Sequence, residues 1–113
     1  MQLIKSLKKR CAKKSANITY SIIMQLYDGW YKVYKKYQKA ELDGNEEELE
    51  NLYYQIVDYS EYIREEQCNM VEVLSVIPAN ELAWHDLYWK KMNKFDDVMD
   101  SCERKRRQRL NGE

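Results

Sequence analysis

Ala40-Glu41-Leu42-Asp43-Gly44-Asn45-Glu46-Glu47-Glu48-Leu49 is the stretch that decides the fold. Glycine takes a left-handed backbone without steric cost, so Gly44 reads as the residue just past a helix C-terminus. Asn45 then reads as the cap of a second helix, with Glu48 three residues on as its reciprocal partner. Glu46 and Glu47 put negative charge in that first turn, where the helix dipole favours it. One helix stops and another starts within two residues, which predicts a helical hairpin.

Outward from this turn the apolar residues keep a helical period. Upstream, Tyr20, Ile23, Tyr27, Trp30, Tyr34 and Tyr37 alternate by three and four. Met24, Leu26, Tyr31, Val33 and Ala40 flank that seam, and a face so wide serves two neighbours. Downstream, Leu49, Leu52, Ile56, Tyr59 and Ile63 repeat the pattern, and Met70, Val73 and Ile77 resume it. Ser75-Val76-Ile77-Pro78 is the second break, because proline restricts the residue before it. Asn80 is a candidate cap beyond it. Trp84, Tyr88, Phe95, Val98 and Cys102 form a third seam, with Met92 and Met99 beside it.

Three such segments, each about 40 Å long, predict an all-α fold. Short connections make it an antiparallel bundle of three long helices. Leu3, Ile4, Leu7 and Cys11 form a face out of phase with the first seam. The spacing therefore predicts a short basic N-terminal helix within residues 1–14 and a break near Ala12–Asn17. Residues 17–103 are then the bundle and 104–113 a basic tail. A short strand over Asn17–Ile23 competes locally, since Ile18, Thr19, Ile22 and Ile23 are β-branched. No partner strand is visible.

The chain has 113 residues, enough for one domain with a modest core. Lys and Arg number 19 and Asp and Glu number 19, so the formal charge is zero. The zero hides a division. Residues 1–40 carry ten Lys/Arg and one Asp, residues 41–100 four Lys/Arg and sixteen Asp/Glu, and residues 101–113 five Lys/Arg and two Glu. The plain reading sets a basic helix beside an acidic one. No apolar run approaches a membrane span. Basic residues interrupt Met1–Lys14, so it does not read as a signal peptide. Cys11, Cys68 and Cys102 are odd in number and exclude a complete disulfide framework. Free thiols in a reducing cytoplasm are the expectation.

Sites for chemistry are scarce. His85 stands alone, and no Cys/His spacing supports a metal centre. No glycine-rich phosphate loop occurs. Glu46, Glu47 and Glu50 read EExxE, which resembles the string with which helical nucleotide pyrophosphohydrolases hold magnesium. The resemblance covers this string alone: no ExxD follows, and capping already accounts for Glu46 and Glu47. We expect no enzyme, metal or cofactor.

Binding surfaces are better represented. The outer face of the first long helix holds Lys32, Lys35, Lys36 and Lys39, and that of the second Glu50, Asp58, Glu61, Glu65 and Glu72. Such faces are solubilising by default. Tyr54, Val57, Val71, Leu82 and Trp89 do not fit the seams. Tyr and Trp are enriched where proteins bind, so Trp89, Tyr53, Tyr54 and Tyr62 are candidate contacts. The leading expectation is a small protein-binding inhibitor, adaptor or regulator, phage-encoded in one reading. Its partner contacts are Trp89, Tyr54, Tyr53, Glu50, Asp58, Glu61 and Glu65, with the carboxylates occupying a basic groove. A homodimer is compatible with exposed seam residues. The alternative is a nucleic-acid-binding accessory protein. It would use Lys8, Lys9, Arg10, Lys13 and Lys14 at one end and Arg104, Lys105, Arg106, Arg107 and Arg109 at the other, chiefly on phosphates.

Overall fold

The computed structural model describes the backbone of residues 2–112 and the side chains of residues 9–112. The elements are α1 (Gln2–Asp43), α2 (Glu46–Leu74), a 3-10 turn (Ala79–Glu81) and α3 (His85–Leu110). The chain divides into two compact units, Met1–Ala83 and Trp84–Glu113. Among the described residues there is no strand, and Asn17–Ile23 is helical.

The turn between α1 and α2 forms as its residues dictate. Gly44 has φ of 69°. Its N–H donates to the Glu41 carbonyl at 3.2 Å, and the Asn45 N–H donates to the Ala40 carbonyl at 3.1 Å. These two bonds satisfy carbonyls that the end of α1 leaves open. Asn45 Oδ1 accepts from the Glu48 N–H at 3.1 Å and caps α2. The Asn45 N–H goes to Ala40 in place of the expected Glu48 side chain.

One expectation is corrected at the start of the chain. α1 runs unbroken from Gln2 to Asp43, without a separate short helix and without a break at Ala12–Asn17. No glycine or proline interrupts the chain before Gly29, and Ala12, Lys13, Lys14 and Ala16 all favour helix. The phase change is absorbed within the helix: the buried stripe begins with small side chains, Ala16 at 0% exposure and Thr19 at 8%. It continues through Ile23, Tyr27, Trp30, Val33, Tyr37 and Ala40, while Tyr20 and Tyr34 are half-buried. Leu3, Ile4 and Leu7 have side chains outside the described residues.

α2 buries Leu49, Leu52, Ile56, Ser60, Ile63 and Met70. The Ser60 hydroxyl donates to the Val57 carbonyl at 2.7 Å, which satisfies a polar group in the stripe. α1 and α2 pack against each other. They approach closely at Gly29, where an added Cβ would lie 2.7 Å from the Tyr59 side chain. Near the far end of this unit, Lys9 Nζ meets Glu81 Oε1 at 2.8 Å.

The second break falls where proline places it, but its details differ. Asn80 sits inside the 3-10 turn and caps nothing; Trp84 occupies the N-cap position of α3 without a side-chain bond. Leu82, which fits no seam, is 4% exposed and anchors this connection. The buried stripe of α3 is Tyr88, Met92, Phe95, Met99 and Cys102. Its spacing alternates by four and three, which leaves Val98 one residue off and half-buried. The last turns of α3 include Arg104–Arg109, so the basic run is helical.

Candidate protein-binding face

Glu50, Tyr54, Asp58, Glu61 and Glu65 follow one another at four, four, three and four residues. That spacing draws a single stripe along α2. It lies opposite the buried Leu52, Ile56, Ile63 and Met70. Asp58, Glu61 and Glu65 are exposed, and Glu50 is half-buried. Tyr54 is 55% exposed, with its ring edge-on to Tyr53 at 6.1 Å. Tyr53 stands one residue off the stripe and is half-buried.

Lys32, Lys36 and Lys39 of α1 and Asp58, Glu61, Glu65 and Glu72 of α2 have no ion-pair partner among the described residues. These seven outer charges are therefore not closed on one another. Arg64 is the one cationic side chain that α2 carries. Like charges three and four residues apart repel by a few tenths of a kcal/mol per pair. Asp58 with Glu61 and Glu61 with Glu65 have that spacing.

Beside the stripe, a shallow depression of about 170 Å³ is lined by Gln55, Asp58, Tyr59 and Tyr62. Tyr62 is 62% exposed, and on α1 Ile18 and Ile22 are 53% and 40% exposed. The isoleucines stand out in sequence only as β-branched residues, which suggest a strand; their exposure needs the helix phase to be known. A second depression, of about 250 Å³, lies at the hairpin turn among Lys36, Lys39, Ala40, Asp43, Asn45 and Glu48. It is mixed in charge and holds no convergent chemistry.

Trp89 belongs to the other unit. It is 42% exposed. Its indole N–H donates to His85 Nε2 at 3.1 Å, and the Tyr88 ring meets it edge-on at 5.1 Å. His85 Nδ1 lies 3.3 Å from Asp86 Oδ1. The accepting Nε2 requires a neutral imidazole with its proton on Nδ1. The indole is thus held in place and is partly desolvated. Below it, burial pushes the Tyr88 phenol up to about 12, with Asp96 adding to the effect.

The tyrosines of α1 are mainly structural. Trp30 is 0% exposed and stacks on Tyr34 at 5.6 Å. Tyr27 stacks on Tyr31 at 6.1 Å, and Lys35 Nζ lies 5.0 Å from the Tyr31 ring centre. Burial raises the Tyr27 phenol, helped by Tyr31 and Asp28.

The basic candidates fall in both units. Lys8 has its side chain outside the described residues. Lys9 is paired with Glu81. Arg10, Lys13 and Lys14 are exposed on α1. On α3, Arg104, Lys105 and Arg107 are exposed, while Arg106 and Arg109 are half-buried.

Cys11 and Cys68 are exposed thiols, and Cys102 is buried. Among the described residues no three His, Cys, Asp or Glu side chains group as a metal site. None of the described helices is long and apolar enough to cross a membrane. No protein-family model matches the chain, and no curated protein or solved structure matches it.

Proposed function

We propose that this is a small non-enzymatic helical protein that acts by protein–protein binding, as an inhibitor, adaptor or regulator. The observation that carries the reading is the α2 stripe: exposed Asp58, Glu61 and Glu65, none with an ion-pair partner among the described residues, in line with exposed Tyr54. Such a stripe complements a basic groove. Its charge steers encounter and sets register, and the aromatic rings supply the desolvated contact. Trp89 is a second contact residue, pre-positioned by His85. The finer arrangement belongs to this reading as well: α1 and α2 run antiparallel, supported by their two-residue connection and by the pairs Gly29–Tyr59 and Lys9–Glu81.

Affinity capture tests the reading. The bait is the chain itself, beside a second bait with Glu50→Gln, Asp58→Asn, Glu61→Gln and Glu65→Gln. Partners held by the first in a salt-sensitive way and lost by the second support it. An identical set on both folded baits, with the same salt dependence, sinks it.

The exposed Arg104, Lys105 and Arg107 favour one other reading, a nucleic-acid accessory protein. It requires micromolar binding to single- or double-stranded nucleic acid that weakens steeply with salt.

A further inference from the structure

The unit formed by α1 and α2 presents an exposed surface divided lengthwise. On α1, Ile18, Gln25, Lys32 and Lys39 recur every seven residues, with Ile22 and Lys36 in the same stripe; all are exposed. On α2, Gln55, Asp58, Tyr62, Glu65 and Asn69 form the matching stripe, also exposed. One side is cationic with apolar isoleucines, and the other is anionic with an apolar tyrosine. The depression lined by Gln55, Asp58, Tyr59 and Tyr62 runs beside the second.

We infer that this face binds a second copy of the same chain, with the α1 stripe of each copy lying on the α2 stripe of the other. The inference rests on the proposed reading of α2 as a binding face and names its partner. Charge decides the geometry. A two-fold axis across the helices would set α1 on α1, with lysine against lysine. A two-fold axis parallel to the helices sets α1 on the partner's α2, and the cationic row of each copy then lies along the acidic helix of the other.

The register follows from the pairs within one copy. Tyr59 faces Gly29, and Glu81 meets Lys9. Lys32 is then level with Asp58, and an axis along the helices keeps that level between copies. Ile18 and Ile22 of one copy come opposite the segment from Glu66 to Glu72 of the other. α2 has 29 residues, so a two-helix face about 44 Å by about 20 Å covers on the order of 800 Å² per copy. That is the size of a standard specific interface.

Sedimentation equilibrium tests the inference on the full chain. At low ionic strength the expected mass is twice 13.7 kDa. Raising the salt should weaken the dimer on the order of tenfold or more. Lys32→Glu alone should also weaken it at least about tenfold, since it sets like charges together at both symmetric contacts. Adding Asp58→Lys to Lys32→Glu should restore the dimer, with circular dichroism confirming that every variant is helical. A monomer at all concentrations and salts overturns the inference. So does a dimer indifferent to Lys32→Glu, or one that the double reversal fails to restore. A monomer leaves the acidic face open to a different protein, which the capture experiment addresses separately.

Discussion

Gly29 is a poor helix residue in the middle of a long helix, and the position explains it. Replacing it with alanine gains about 1 kcal/mol of helix propensity in isolation. In this fold the new Cβ would sit 2.7 Å from Tyr59 Cε1 and Oη and 2.8 Å from Cζ. Three atoms of one phenol group cannot stay that close, so Tyr59 must give way. Overpacking of this kind costs about 1–3 kcal/mol. Gly29→Ala should therefore leave the chain between about 0 and 2 kcal/mol less stable, the clash outweighing the propensity. In a Tyr59→Ala background the clash is gone, and the same substitution should stabilise by about 1 kcal/mol. The coupling, about 1–3 kcal/mol, is read from a double-mutant cycle of urea unfolding curves. Equal stabilisation in both backgrounds would refute the close approach of α1 and α2 at this point.

Three further outcomes are expected. Gly44→Ala should cost about 1–2 kcal/mol, because φ of 69° strains any residue with a Cβ, and Asn45→Ala about 1 kcal/mol for the lost cap; urea midpoints unchanged by either would count against the turn. Tyr88 should be among the last phenols to ionise in an ultraviolet alkaline titration. Its ordinary value of 10.0 is raised to about 12 in the fold, so its contribution is complete below pH 10 and is lost as pH climbs towards 12. That loss is roughly 2 kcal/mol, and Tyr88→Phe should resist alkaline unfolding better than the parent. His85→Phe should change the Trp89 environment, read as tryptophan fluorescence, since a phenyl ring offers no lone pair to the indole N–H.

The hairpin was legible because its signals are local. Gly44, Asn45 and the acidic first turn act within a few residues of one another, and each maps onto a single backbone bond or dihedral. The α2 stripe was legible for a related reason, since spacing alone puts Asp58, Glu61 and Glu65 opposite Ile56 and Ile63. The continuity of α1 was not. A change of phase at Ala12–Asn17 looks the same whether the helix breaks or merely buries small residues, and only packing chooses between them. Leu82 and Val98 were misread because burial depends on where the neighbouring chain lies. The exposure of Ile18 and Ile22 was hidden likewise: β-branching names a propensity, while the fold names the surface.

If the carboxylates of α2 serve contact and not the fold, removing their charge should not weaken the chain. Urea unfolding of Asp58→Asn, Glu61→Gln and Glu65→Gln together, at a concentration where sedimentation gives the monomer, measures this directly. The three positions have no ion-pair partner among the described residues and sit at repulsive spacings. The expected result is unchanged stability or a gain of up to about 1 kcal/mol. A loss of more than about 1 kcal/mol would contradict it, because the carboxylates would then be holding the basic helix beside them.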